Sequence, residues 1–269
     1  MSSPPPTREA RLAPPMYRDR AEAGLLLGEK VRAVLGLVSS ADSERSRGSG
    51  IPAQPAAPGE RGGSARDSLS VRVFAIPRGG VAVAAGVARC LGAPLDVIVV
   101  RKIGHPEAPE LGLGAIAEPA GGDPVFDDEL LAQVALTRAD LEGVVARERA
   151  ELDRRTAVYR GAVRGADDCD VAVVVDDGLA TGVTARAAVR AVRARGTPRI
   201  VLAVPVAAQQ AVAALQEELG NAETGEVVTL VTARRFRSVG EWYADFGQLT
   251  DDDVLTLLSS GETPPRMSR

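Results

Sequence analysis

From Val71 onward, short aliphatic runs alternate with longer stretches of helical periodicity, and this alternation restricts the fold more than any other feature of the 269-residue chain. Residues 71–76, 95–100, 171–175, 200–205 and 227–231 read as buried strands. Residues 79–91, 138–159, 182–195 and 207–219 read as helices separating most of them. A strand buried on both faces needs helices above and below it. The pattern therefore predicts an α/β domain with a parallel sheet and helices on both faces. Thr137 and Asp140 have the spacing of a cap for the 138–159 helix, and the Arg147/Glu151 and Glu151/Arg155 pairs suit an exposed face.

The flanks behave differently. Residues 1–18 open Pro-rich and polar and 261–269 offer nothing to bury, so both read as disordered, leaving one domain over 19–260. Asp19 followed by Glu22 has capping-box spacing, with Leu27, Val31, Val34, Leu35 and Val38 at helical intervals behind it. Residues 39–70, rich in Ser, Gly, Pro and Arg, show no periodicity and read as a flexible insertion. Aromatics make up only 3%, so the core must be built from Val, Ala and Leu. A net charge of −4 gives no global attraction to nucleic acid. No aliphatic run approaches the roughly 18 residues of a membrane span, and the N-terminus lacks an apolar signal region. Cys90 and Cys169 lie outside any CxxC spacing and read as free thiols. A cytoplasmic protein without nucleic-acid or membrane partners is the expectation.

In parallel sheets ligands bind beyond the carboxyl ends of strands. After Val175 comes the loop DDGLATGVT, from Asp176 to Thr184, with a helix beginning near Gly182. Adjacent carboxylates accept hydrogen bonds from sugar hydroxyls. Small residues let backbone N–H groups approach an anion, and the helix N-terminus with the Thr181 and Thr184 hydroxyls adds to that pull. Acids beside an anion cradle make sense for one ligand that carries hydroxyls at one end and phosphate at the other, a sugar phosphate. A Walker loop would need GK[ST] and a dinucleotide fingerprint GxGxxG, and neither is present. The competing reading is a capped turn with a solvated Asp pair.

Two other strand ends carry chemistry. The 71–76 strand runs into Pro77, Arg78, Gly79 and Gly80, where a Gly pair allows close backbone approach and Arg78 offers a fork for phosphate. Taken alone, this is equally well a glycine turn with an exposed arginine. The 95–100 strand ends in Arg101 and Lys102, followed by a Gly- and Pro-containing stretch to Glu118 that reads as a long irregular loop. Lys102 and Lys30 are the only lysines, and His105 is the sole histidine, best read as an exposed loop residue. Phe236, Trp242, Tyr243 and Phe246 cluster near the C-terminus, either as a small satellite core or as a stacking surface for a planar base. Arg186, Arg190 and Arg193 read as a solvated basic stripe.

The stretch VVVDDGLATGVT (173–184) resembles the phosphoribosyl pyrophosphate (PRPP) motif of the type I phosphoribosyltransferases. FAIPRGG, VVRKIG and SVGEWYADF extend the likeness to predicted members without an established substrate. The resemblance implies a Rossmann-like parallel-sheet core with a small hood. It implies that Asp176 and Asp177 hold the ribose hydroxyls, and that Gly178 with Ala180, Thr181, Gly182, Val183 and Thr184 cradles the 5′-phosphate. Arg78, Gly79 and Gly80 would bind pyrophosphate, and Lys102 with Arg101 would serve catalysis from a flexible closing loop over 102–118. Mg²⁺ would arrive with PRPP near Asp176 and Asp177, with no resident metal, and many members pair as homodimers. The implied reaction moves a 5-phosphoribosyl group from PRPP to a nitrogenous base or related acceptor, as in nucleoside salvage. Transferases for hypoxanthine and guanine carry an aspartate where Ala180 stands, so the resemblance argues against a 6-oxopurine acceptor. A PRPP-binding regulator without transfer is the rival reading, although no helix-turn-helix or basic domain supplies an effector surface.

Overall fold

The computed structural model describes residues 15–37, 69–119, 122–161 and 169–259. Most of the expected N-terminal arm and insertion, the tail from 260 and Val38 lie outside them. Along the chain come α1 (Arg20–Val34), β1 (Val71–Ala75), α2 (Gly79–Leu91), β2 (Leu95–Val97), β3 (Val100–Gly104), β4 (Gly112–Ala117) and β5 (Val125–Phe126). They are followed by α3 (Asp128–Gln133), α4 (Glu142–Arg160), β6 (Val171–Val175), α5 (Val183–Arg193), β7 (Arg199–Ala208), α6 (Gln209–Leu219), β8 (Gly225–Ala233) and α7 (Asp251–Ser259).

Five strands form a wholly parallel sheet in the order β2-β1-β6-β7-β8. Every residue of β6 is buried, and the two-residue period of a strand divides them between two cores. Val171, Val173 and Val175 join Val73, Ala75, Leu27, Val83 and Leu152 on one face. Ala172 and Val174 join Phe74, Leu202, Val189 and Leu215 on the other. Helices α1, α2, α4 and α7 thus cover one face while α5 and α6 cover the second, as the aliphatic runs predict. Each fully buried Val contributes about 1.5–3 kcal/mol, which lets a core poor in aromatics suffice.

Helix α1 lies backbone to backbone on α2. A Cβ added to Gly24 would stand 2.3 Å from the Val83 carbonyl oxygen, and one on Gly86 would stand 2.7 Å from the Gly24 carbonyl carbon. Asp19 caps the α1 N-terminus, accepting from Glu22 N–H at 2.8 Å, and Glu22 Oε2 reaches back to accept from Arg18 N–H, one residue before the cap, at 2.6 Å. Behind it, the helix ends before Gly36, which takes a φ of +67°.

Several expectations need correction. Residues 101–118 are not an irregular loop: β3 and β4 pair antiparallel, β5 joins them in a second, three-stranded sheet, and only 105–111 stays irregular. The single strand expected over 95–100 is shared between the sheets. Ile98 N–H still bonds to the Ala75 oxygen at 2.9 Å, while Glu118 N–H bonds to the Val99 oxygen at 3.0 Å. A continuous apolar run does not mark where it leaves one sheet for the next. The helix expected from 207 starts at Gln209, because β7 stays paired with β8 through Ala208.

Residues 15–18 are not part of a disordered arm. Tyr17 is buried, its N–H bonds to the Trp242 oxygen, and its carbonyl accepts from Ala244 N–H at 2.8 Å. Arg190 and Arg193 of α5 are exposed, as a solvated face requires, and Arg186 and Arg190 in addition pair with Glu218 of α6, at 3.0 and 2.5 Å. Glu151 pairs with Arg155 as expected, but its second partner is Arg154 rather than Arg147.

Candidate active site

The chain leaves β1 toward β2 on one side, and leaves β6 toward β7 on the other. The crevice between the carboxyl ends of β1 and β6 is therefore the topological switch point, where open α/β sheets take their ligands. The two loops that meet there are 76–79 and 176–182. Ile76 N–H continues the strand pairing to the Val175 oxygen at 2.9 Å. A Cβ on Gly80 would lie 2.8 Å from that same oxygen, and one on Gly79 would lie 1.9 Å from Asp177 Oδ2. Glycine is what permits this contact between the loops. The Pro77–Arg78 peptide bond is cis.

Helices α2 and α5 both begin at this crevice, and neither has a side-chain cap. Their first-turn N–H groups have no intrahelical acceptors, so each helix presents bare donors and the positive end of its dipole. Gly182 enters α5 with φ +84°. Loop 176–182 is fixed to β7 from behind: Leu179 N–H donates to the Val206 oxygen at 2.9 Å, and Ala208 N–H donates to the Leu179 oxygen at 2.8 Å. Leu179 is buried while Ala180 and Thr181 face outward, and Thr184 is half-buried. A pinned backbone with outward N–H groups suits an anion.

Asp176 and Asp177 are both half-buried. Burial, then the neighbouring Asp177 charge, pushes the Asp176 carboxyl well above the usual carboxylate range. Burial also raises Asp177, opposed by the Arg20 cation. Arg20 Nε donates to Asp177 Oδ2 at 2.8 Å and Nη1 donates to the Gly247 oxygen at 2.8 Å. Its guanidinium carbon lies 3.8 Å from the Phe246 ring centroid. Tyr243, whose hydroxyl is held protonated by burial, donates to the Asp177 carbonyl at 2.6 Å. Sequence reasoning missed Arg20: its partner is 157 positions away, and a charged residue in a helix's first turn carries no local signal.

The aromatic cluster forms a satellite core. Tyr17 and Tyr243 pack at 5.5 Å, Tyr243 and Phe246 at 5.2 Å, and Val239 and Trp242 close around them. One face of Phe246 is taken by Arg20, so this ring is not a free stacking platform.

The expected basic residues separate. Arg78 is half-buried at the start of α2, and Lys102 projects from β3 close enough for its charge to stabilise the Asp176 carboxylate. Among the described residues neither forms an ion pair. Arg101, next along the strand, points to the opposite face and pairs with Glu148 of α4 at 2.7 Å, which removes it from the cluster of expected catalytic residues. His105 is a turn residue whose Nδ1 accepts from Glu107 N–H at 3.1 Å. A hard divalent cation takes carboxylate and phosphate oxygens, and Asp176 and Asp177 supply the carboxylates. Among the described residues no group of three or more His, Cys, Asp or Glu could hold a metal. A cation here would draw its remaining ligands from a bound phosphate. Among the described residues no helix is long and apolar enough to cross a membrane.

Residues 69–218, which include both crevice loops and the 100–117 hairpin, match the family model of the phosphoribosyl transferase domain. The chain belongs to the phosphoribosyl transferase family. Its parallel sheet with helices on both faces is the type I phosphoribosyl transferase architecture. The solved structure of TT1426 from Thermus thermophilus is 37% identical with a TM-score of 0.63, over 90% of this chain and 97% of that one. Two Mycobacterium tuberculosis proteins, Rv0571c (strain H37Rv) and MT0597 (strain CDC 1551), are named provisionally as phosphoribosyl transferases. Each is 44% identical over 193 residues, which is 70% of this chain and 41% of theirs. The chain thus matches about two fifths of the length of these relatives.

Proposed function

We propose that the chain transfers a 5-phosphoribosyl group from PRPP to a nitrogenous base or related acceptor and releases pyrophosphate. The observation that carries this reading is the convergence, at one switch point, of a carboxylate pair, two uncapped helix N-termini and the Lys102 charge beside Asp176. Asp176 and Asp177 accept hydrogen bonds from the ribose hydroxyls. The backbone N–H groups from Ala180 to Thr184 hold the 5′-phosphate, with Gly178 keeping the loop close. Pyrophosphate lies over Gly79 and Gly80 at the start of α2, between Arg78 and Lys102.

The C1–O bond to pyrophosphate breaks with its electron pair leaving on oxygen, and the acceptor nitrogen forms the new bond to C1 and then loses its proton. Positive charge grows on the ribose and negative charge on the leaving group. Arg78, Lys102 and the α2 N-terminus stabilise the anion, the helix N-terminus from a fixed position that needs no reorganisation. When bound, Mg²⁺ supplies further charge neutralisation on the phosphates. The β3–β4 hairpin, rather than an unstructured loop, carries Lys102 on the side of Asp176.

Incubation with PRPP, Mg²⁺ and a panel of bases, followed by a pyrophosphate assay, tests the reading. Base-dependent pyrophosphate release is expected. Measurable PRPP binding without release for any base would favour a PRPP-responsive regulator instead.

A further inference from the structure

The contacts of Arg20 reach beyond helix α1. Its guanidinium bonds to Asp177 in the crevice loop and to the Gly247 carbonyl in the C-terminal segment, at 2.8 Å each, and its face covers Phe246. The Arg20 and Asp177 side chains are only 11% and 16% exposed, so this is an ion pair largely out of water. Tyr243, from the same C-terminal segment, holds the Asp177 carbonyl. Asp177 is therefore gripped at side chain and main chain by residues that lie outside the span matched by the family model, residues 69–218.

We propose that Arg20 is the positioning residue for the ribose-binding carboxylate: it fixes the direction of Asp177 so that the second carboxylate oxygen faces the crevice. This rests on the PRPP reading of the 176–184 loop. The geometry gives three reasons. A planar guanidinium can donate to a carboxylate and a carbonyl at once while its face lies on an aromatic ring, an arrangement a lysine ammonium cannot reproduce. Gly79 leaves no room for a Cβ beside Asp177 Oδ2, and Arg20 Nε lies 3.2 Å from that same point, so the oxygen is enclosed from two sides. The close α1–α2 contact at Gly24 and Gly86 sets where the first residue of α1 stands over the site. Helix α1 and the C-terminal segment then complete a site whose phosphate-binding parts all lie within the family span.

The test separates ligands with a ribose from those without. Calorimetric titrations of PRPP with Mg²⁺, and of pyrophosphate with Mg²⁺, are made on the full chain, R20K, R20Q and F246L. R20Q is expected to weaken PRPP at least tenfold while pyrophosphate changes less than twofold. R20K, which keeps the charge and loses the fork, should fall between, and F246L should weaken PRPP about threefold. Because R20Q also loosens the C-terminal segment, R20K and F246L keep the test informative if it melts early. Equal or tighter PRPP binding by R20Q would overturn the role of Arg20, as would parallel losses of PRPP and pyrophosphate across the variants. Failure of the unaltered chain to bind PRPP would instead remove the parent reading, and this one with it.

Discussion

At the scale of single residues, Arg101 and Lys102 show what a pattern of letters leaves open. Both are basic and adjacent at a strand end, which makes them equal candidates for stabilising a leaving anion. In β3 their side chains diverge, Arg101 to Glu148 and Lys102 toward Asp176. The alternation of a strand decides this, but only once 100–104 is known to be a strand, and the Gly- and Pro-containing stretch behind it gives no such sign. K102A should lower the rate of pyrophosphate release about 100-fold, the scale of losing one preorganised donor. R101A should leave that rate within about threefold and cost on the order of 1 kcal/mol of stability. Steady-state assays of both variants decide, and equal losses would mean that Arg101 serves the site after all. The Asp pair, by contrast, is legible because carboxylates, small loop residues and helix start are contiguous, so local chemistry and local structure coincide.

Among the elements, the strands read best where burial is complete. β6 and β7 are near-continuous aliphatic runs because both faces are covered, while β1 carries the buried Arg72 within it. The same run through 95–100 conceals a change of sheet, since apolar letters look alike on either side of it. Helix α7 illustrates a contact invisible to periodicity: the Tyr159 hydroxyl of α4 donates to Asp251 Oδ1 at 2.5 Å at the α7 N-terminus. That bond, then charges including Arg155, Arg154 and Arg78, hold the Asp251 carboxyl below its ordinary value of 3.8. A depressed carboxyl stabilises the fold above its unfolded pKa and loses that contribution as pH falls through the folded value. D251N should therefore be less stable than the unaltered chain at pH 7, by about 1–3 kcal/mol for a hydrogen bond to a charged group. The difference should shrink below about pH 4. Urea unfolding at pH 7 and pH 3 measures it, and a gap of the same size at both values would contradict the assignment.

Over the whole molecule, the site is assembled from five places: Arg20, residues 78–80, Lys102, residues 176–184 and the 243–247 segment. Three of them announce themselves as strand ends and loops of a parallel sheet, and the family match covers the same three. The other two come from the chain's flanks. There, Tyr17, Arg20, Tyr243 and Phe246 find one another across more than two hundred positions, a separation over which no sequence pattern can pair them. Closure of the N-terminal segment onto the C-terminal one gives the satellite core its second function of holding Asp177 in place. The central claim is that Asp176 and Asp177 hold a ribose whose phosphate lies on the α5 N-terminus. Calorimetric titration of PRPP with Mg²⁺ into the unaltered chain and into D177N tests it most directly. The account predicts saturable binding at one site, about 10- to 100-fold weaker in D177N, which leaves Arg20 without its carboxylate partner and so melts lower while staying folded at the titration temperature. Unchanged affinity in a folded D177N would contradict it.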